Sequence, residues 1–254
     1  MIRQSTDIRV SFCITCKGRL HHLRQTLPIN IESNKDFAGA EFVLLNYSSP
    51  DDLDDWVKSE MIQEIASGKL VYFKASGYEY YLSSHAKNVA HRLARGSVVC
   101  NLDADNFLGA GFAKYLDDLF SNNENIFVRP KGKTGIGIYG RIAIRKTHFE
   151  SLGGYDEGMQ SGWGHDDTDL AWRAKAFGLR QIAIPSDSPY TKVLLHDDQE
   201  RMRFAKTDSK ESSWLEHKSL SLKNIESGKL IANSNIRWGV AKVQRNFSEE
   251  LELC

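Results

Sequence analysis

No apolar run in this 254-residue chain approaches the ~20 residues that a membrane-spanning helix requires. The longest, around Phe42-Val43-Leu44-Leu45, has the length of a strand. The opening Met1–Asp7 is polar and lacks the apolar core of a secretory signal. These features predict a cytoplasmic protein that meets a membrane only through whatever it acts on. An excess of charge is missing too, because 33 Lys+Arg are balanced by 33 Asp+Glu. The broad positive field that nucleic-acid binders use is therefore not available. No interleaved aromatic and basic platform for stacked bases is present either. The small cluster Arg201-Met202-Arg203 with Lys206 suits a solvated face or a phosphate contact. Nucleic acid is not expected as a partner.

Cysteine is scarce: Cys13, Cys16, Cys100 and Cys254 are the whole complement. Cys13 and Cys16 make a Cys-x-x-Cys, but no second such pair exists to complete a zinc ribbon. A redox pair normally opens a helix after a strand, whereas Cys13 lies inside an apolar run that reads as strand. Reduced, buried thiols are the expectation. Internal repeats are absent beyond the tetrapeptide Ser-Gly-Lys-Leu at Ser67 and Ser227, which is treated as chance. A glycine-rich phosphate loop after the first strand is also missing, since Thr15–Arg19 offers only Gly18.

What is present is a core-sized apolar fraction, 41%, and a regular alternation of strand-like and helix-like segments. The length fits one large α/β domain or two small ones. Ile8–Ile14, Ala40–Asn46, Leu70–Lys74 and Ser97–Leu102 read as buried strands. Helical patterns lie between them at His21–Leu27, Leu53–Ala66 and Ser84–Arg95, with Gly68 and Gly96 closing the last two. Such βα units predict a mostly parallel sheet flanked by helices, with ligands bound beyond the carboxyl ends of its strands. Further along, Arg141–Ile144, Gln181–Ile184 and Val193–His196 read as strands and Asp166–Phe177 as a helix. Residues 206–254 read as a C-terminal extension with weak helical patterns near Ser212–Ile225 and Ile236–Arg245.

Three constellations can carry chemistry. Asp103-Ala104-Asp105 follows the fourth strand, and two carboxylates spaced by two on a turn can face one divalent cation that bridges substrate phosphates. Gly162-Trp163-Gly164-His165-Asp166-Asp167 puts an aromatic ring between glycines and two acids at a helix start. Capping of the helix explains one acid. It does not explain both together with Gly-Trp-Gly. An aromatic ring can stack on a sugar, and a carboxylate can deprotonate a hydroxyl nucleophile. His196 ends an apolar segment, where a neutral imidazole suits a carboxylate-bound metal, manganese in particular.

In this order the three resemble the β-1,4-galactosyltransferases and the wider family-2 glycosyltransferases. Gly140–Ile144, with Phe149 and Gly153-Gly154-Tyr155-Asp156-Glu157, resembles that group's approach to its acceptor site. Ala86-Lys87-Asn88-Val89-Ala90 and Leu102-Asp103-Ala104-Asp105 resemble its donor half. The resemblance covers residues 8–203 and implies the GT-A fold, with a donor half over 8–106 and an acceptor and catalytic half over 107–205. It implies Mn²⁺ or Mg²⁺ held by Asp105 and His196, with Asp103 on the metal or the donor ribose. Thr15 and Arg19 match positions near the nucleotide, most often uridine, and Lys87 a position near the diphosphate. Asp167 matches the catalytic base. Asp166, Trp163 and Gly164 match the acceptor-binding group. The implied partners are a nucleotide-sugar donor and a carbohydrate or glycoconjugate acceptor. Two departures stand out: Asp166 occupies a position where Glu is commoner, and His165 one where the galactosyltransferases have Gly. The chain also shows no membrane anchor of the kind Golgi relatives carry, so a cytoplasmic bacterial or phage-type enzyme is expected.

The implied reaction is a single inverting displacement, in which Asp167 takes the proton of the attacking hydroxyl without needing a large pKa shift. One of two glycine-rich stretches, Gly132–Gly140 or Gly158–Gly162, is expected to close over the donor. Rival readings are a retaining transferase, a nucleotidyltransferase with a similar metal site, and a non-catalytic carbohydrate-binding protein. The last leaves Asp103, Asp105, Asp167 and His196 without a purpose.

Overall fold

A computed structural model describes residues 8–131, 137–159, 162–185, 188–207 and 209–254. Both stretches expected to act as a lid fall partly outside the described residues.

The chain begins with β1 (Val10–Cys16), buried along nearly its whole length. One face is apolar (Val10, Phe12, Ile14, Cys16), while on the other Cys13 is flanked by Ser11 and Thr15, whose hydroxyls are bonded to Glu41 and Tyr81. Then come α1 (Leu20–Glu32), β2 (Ala40–Tyr47), α2 (Leu53–Glu60), α3 (Ile62–Ala66), β3 (Leu70–Ala75), α4 (Ser83–Leu93) and β4 (Val98–Asn101). β1 pairs in parallel with both β2 and β4, and β2 in parallel with β3. The expected single helix over 53–66 is broken at Met61, whose buried side chain sits at φ −114° between α2 and α3. α1 runs on through Pro28 to Glu32, beyond the helical pattern read at His21–Leu27. Its last turns are held by burial of Ile31 and by the Asn30 amide, which donates to Asn106 O at 2.9 Å and accepts from Leu108 N at 2.8 Å. These bonds tie α1 to the loop after the two aspartates.

The second half contains α5 (Phe112–Asn122), β5 (Ile126–Pro130), β6 (Ala143–Arg145), α6 (Lys146–Ser151), α7 (Asp166–Ala176), β7 (Arg180–Ile184), α8 (Asp198–Met202), α9 (Lys210–Glu226), β8 (Ala241–Arg245) and β9 (Glu249–Leu253). Among the described residues one nine-stranded sheet runs in the order β7-β5-β6-β4-β1-β2-β3-β8-β9. The α/β class stands, but the sheet is mixed rather than mostly parallel. β6 runs antiparallel to both β4 and β5, and β8 antiparallel to both β3 and β9.

Two expectations fail in the second half. The stretch Ile236–Arg245 contains a strand, not a helix. Ala241 and Val243 point inward while Lys242 points out, an alternation of period two that extends the sheet beyond β3. Asn246 and Phe247, at φ 46° and 65°, turn the chain into β9. Val193–His196 is not a strand either. It lies beside the short loop after β4 with one bridge, Asn106 to Val193, flanked by bonds from Leu194 N to Asp105 O and from Phe107 N to Lys192 O.

Two apolar layers enclose the sheet. One face carries Phe12, Ile14 and Cys16 with α1, α2 and α5. The other carries Cys13 with residues of α4, α6 and α7. Cys13 and Cys16 thus face opposite layers, which is why this Cys-x-x-Cys cannot pair. All four cysteines are free. Among the described residues no helix is long and apolar enough to cross a membrane.

Candidate active site

The carboxyl ends of β1 and β4 lie side by side, and the loop after β4 faces the start of α7 across Gly140. Asp103 and Asp105 belong to the loop after β4 and diverge. Asp105 Oδ2 lies 2.7 Å from His196 Nε2, and Asp105 Oδ1 accepts from Asn106 Nδ2 at 2.6 Å. Asn106 is buried and held in turn by Arg141, whose Nη2 donates to Asn106 Oδ1 and to Phe107 O, both at 3.0 Å. A fully buried guanidinium therefore fixes the loop that presents Asp105. Burial pushes the Asp105 carboxyl up, but the bond and charge of His196 outweigh it and hold it below the usual range.

Asp103 does not join that pair as a third converging ligand. Its Oδ1 accepts from Asn101 Nδ2 at 3.0 Å, and its Oδ2 faces Gly140. A Cβ on Gly140 would lie 2.7 Å from Asp103 Oδ2 and 3.1 Å from Asp167 Oδ2. The two carboxylates flank one point, kept open because residue 140 has no side chain. Burial, reinforced by Asp105 and Asp166, raises the Asp103 carboxyl despite Lys87.

Asp166 and Asp167 are the first residues of α7, after His165 in the left-handed region at φ 70°. Neither caps the helix through its side chain. Both face Lys87 on α4, whose Nζ lies 2.8 Å from Asp166 Oδ2 and 2.7 Å from Asp167 Oδ1. One buried ammonium cannot neutralise two buried carboxylates, so the two acids separate. For Asp166, burial is outweighed by the Lys87 charge and bond, and its carboxyl stays below the usual range. For Asp167, burial and the Asp166 charge win, and its carboxyl is pushed up to about 7. The expectation that this acid needs no large shift is thereby corrected: helix geometry brings the acids together, and like-charge repulsion in a buried site does the rest. Lys87 stands on the acids rather than free for a diphosphate.

Around this centre the other expected residues divide. Thr15 Oγ1 is bonded to Tyr81 OH at 2.6 Å at the end of β1. Arg19 reaches away to Glu200 on α8, with Nη1 3.0 Å from its carboxylate and Nη2 3.0 Å from its carbonyl. Trp163 is half-buried, with the Lys210 ammonium 4.7 Å and the Arg201 guanidinium 5.5 Å from its ring centre. Gly162 and Gly164 press under α9: Cβ atoms there would meet Thr207 and Ser213, or Trp214. Ser213 Oγ bonds both Trp163 N and Trp163 O, and His217 bonds Gly164 O. The C-terminal extension is thus the support of the Gly-Trp-Gly turn. His165 is buried between Trp172 and Trp214, and burial drives its imidazole down to about 4.

Sequence reasoning missed Tyr81 and the parts played by Asn106, Gly140 and Arg141, the last two of which it placed only within Gly140–Ile144 on the approach to the acceptor. It also missed His21 and His22, which converge with Glu200 beside His196.

Residues 119–197 match a family model described as the N-terminal domain of galactosyltransferase. No relative matches among the curated proteins. Among solved structures, the 1–349 fragment of S. aureus TarS in complex with UDP superposes with a TM-score of 0.59 at 16% identity, covering 86% of this chain and 72% of that one. Mannosyltransferase PcManGT from Pyrobaculum calidifontis, in complex with GDP-Man and Mn²⁺, gives 0.58 at 20% identity over 70% of this chain and 55% of its own. A Drosophila β-1,4-galactosyltransferase 7 variant, in complex with manganese, UDP-Gal and xylobiose, gives 0.53 at 14% identity over 84% and 79%. The chain spans 59% of a further TarS 1–349 structure, so it covers little more than half the length of several proteins it superposes on. The fold of this chain is that of the GT-A glycosyltransferases, and its residues 119–197 resemble the galactosyltransferases.

Proposed function

We propose that this chain is a metal-dependent, inverting glycosyltransferase that moves a sugar from a nucleotide sugar, UDP-linked by preference, to a hydroxyl of a carbohydrate or glycoconjugate. The observation that carries the reading is Asp167: a carboxylate pushed up to about 7, facing Asp103 across the bare Gly140 and gripped by Lys87. A base poised near neutrality can accept a proton from an attacking hydroxyl.

Asp105 and His196 suit a Mn²⁺ or Mg²⁺ ion. They offer one carboxylate oxygen and one imidazole nitrogen 2.7 Å apart, close to the ~3 Å between neighbouring ligands that octahedral geometry at ~2.1 Å imposes. When bound, the ion neutralises charge developing on the leaving nucleoside diphosphate. The chain's own residues do the rest. Asn106 and Arg141 hold Asp105 in place. Thr15 and Tyr81 line the nucleotide side, and residues 8–106 form the donor half. Residues 107–205 form the acceptor half, in which Asp166 and the Trp163 turn hold the acceptor sugar. Lys87 keeps Asp166 ionised and lets Asp167 cycle its proton, taken from the acceptor oxygen as that oxygen attacks the anomeric carbon from the face opposite the leaving group. The donors and metals bound by TarS, PcManGT and the Drosophila enzyme support this choice of ligands.

The test is calorimetric titration of UDP, GDP, CDP and ADP, each with and without Mn²⁺. Binding of one nucleotide that needs the ion, weakened at least 10-fold by Asp105→Asn, is the expected result. A folded protein that binds none of them overturns the donor site.

A further inference from the structure

A second group of metal-ligating atoms lies beside the Asp105–His196 pair. His21 and His22 open α1, and Glu200 lies on α8, immediately after the segment that carries His196. One ligand atom from each falls within 4.8 Å of the other two. His21 Nε2 is 2.5 Å from Glu200 Oε1, and His22 Nε2 is 3.7 Å from the same oxygen. Among the described residues no other three His, Cys, Asp or Glu side chains converge in this way.

Neighbouring residues on a helix normally point about 100° apart, so two adjacent imidazoles aimed at one carboxylate need a cause. Here the ring of His22 is buried and packs on both sides. It stands 4.1 Å from the ring of His21 and 5.3 Å from that of His196. His21 is the exposed member and Glu200 the half-buried one, so an ion has an open approach from solvent. Two imidazoles and one carboxylate, with positions left for water, match the donor set of Zn²⁺ and neighbouring transition ions rather than of Mg²⁺. Around such an ion, ligand atoms stand about 3–3.4 Å apart when each is ~2.0–2.1 Å from the metal. The present separations reach that by small side-chain rotations.

We propose that His21, His22 and Glu200 form a second divalent transition-metal site, distinct from the one at Asp105 and His196. An ion there joins α1 to α8 and so pins the segment after His196 against the loop after β1. It also takes the Glu200 carboxylate from Arg19, whose Nη1 is now 3.0 Å from it. Arg19 keeps its other contact, Nη2 to the Glu200 carbonyl at 3.0 Å. Binding to the folded state alone stabilises the protein by mass action.

The probe is Co²⁺ alone, without nucleotide, counted by equilibrium dialysis and by its visible absorption, with Mg²⁺ as a comparison. The inference does not rest on the transferase reading, since no donor or acceptor enters the measurement. Wild type is expected to bind two equivalents. The double variant His21→Ala, Glu200→Gln is expected to lose one, with affinity at that site falling at least 10-fold. Asp105→Asn should keep that one and lose the other. His21 is exposed and Glu200 lies on a short surface helix, so the double variant keeps the fold, which circular dichroism and Tm verify. If only one equivalent binds and only the double variant removes it, this site stands and the Asp105–His196 site fails. If only one equivalent binds and the double variant leaves it in place, or if Asp105→Asn abolishes that same single equivalent, the two-site inference is overturned. No binding of Co²⁺ overturns it as well.

Discussion

Lys87 Nζ lies 2.7 Å from Asp167 Oδ1, although the lysine sits in the middle of α4 and the aspartate begins α7, 80 positions later. Asp166 shares the same ammonium, and the pair of acids is thereby split into one that stays ionised and one that titrates near neutrality. The chemistry proposed for the site depends on that division of labour. Several expectations can be derived from it and from the two carboxylates flanking Gly140.

The value of kcat/KM should rise with pH along a limb centred near 7, because Asp167 must lose its proton in the free enzyme before it can act as base. Lys87 favours the carboxylate form of Asp167, so Lys87→Met should move the limb to higher pH. Asp167→Asn should lower kcat by about 10²–10⁴-fold while leaving nucleotide affinity within a few-fold. A pH–rate profile of wild type and both variants checks all of this. A flat profile between pH 5 and 9 would remove Asp167 from the role of base.

The same displaced pKa makes a statement about stability. A carboxyl whose folded pKa lies above its unfolded value favours folding at low pH. That advantage is lost as pH rises from about 3.8, the ordinary value, through about 7. Asp167→Asn is therefore expected to stabilise the fold by about 1–2 kcal/mol at pH 8, part of the full shift at 1.36 kcal/mol per pKa unit being offset by a weaker contact to Lys87. At pH 4 the variant should gain little. Urea denaturation at the two pH values measures the difference, and equal gains at both would contradict the argument.

How much of this could be read from the residues depends on how local the signal is. β1, β2, β3 and β4 were legible because parallel strands covered on both faces are near-continuous apolar runs. β8 was not, because its five residues alternate only briefly and its pairing partner, β3, lies far away in sequence. The acids of the candidate site were legible for a local reason: Asp103 and Asp105 lie where a strand ends, and Asp166 and Asp167 where a helix begins just after Gly162-Trp163-Gly164. The groups that act on them carry no such mark. Lys87 is singled out only by the resemblance, and there as a diphosphate contact; nothing in the helix pattern aims it at two acids. His21 and His22 read only as the start of a helix until α8 brings Glu200 against them. The division of Asp103 from Asp105 depends on side-chain directions in one turn, which spacing alone leaves open.

Asp105 and His196 give a prediction about the ion rather than the base. His196→Ala and Asp105→Asn should each weaken Mn²⁺-dependent nucleotide binding at least 10-fold and leave metal-free behaviour unchanged. Asn106→Ala should do the same more mildly, about 10-fold. Its amide holds Asp105 Oδ1 at 2.6 Å, and partners of metal ligands are worth about 10–100-fold in affinity or activity. Titration of UDP at fixed Mn²⁺ ranks the three variants. An Asn106→Ala protein with wild-type affinity would show that Arg141 and the backbone suffice to position the loop.

Gly140 offers the sharpest test, because its neighbours are the two carboxylates themselves. The residue does not occupy the left-handed region, so alanine is conformationally permitted there. What an added methyl meets is Asp103 Oδ2 at 2.7 Å and Asp167 Oδ2 at 3.1 Å, with Asn101 Nδ2 at 3.4 Å. Side-chain carboxylates can rotate away at small cost, so stability should fall by less than about 1 kcal/mol. Their rotation, however, displaces Asp167 from the line of the acceptor hydroxyl, and misplacement by about an ångström costs on the order of 10²-fold in rate. Gly140→Ala is thus expected to keep Tm and metal-dependent nucleotide affinity near wild type while kcat falls by about 10–100-fold. Loss of nucleotide binding in step with kcat would instead put Gly140 on the donor side, and an unchanged kcat would mean that the space between Asp103 and Asp167 is not where the acceptor oxygen reacts.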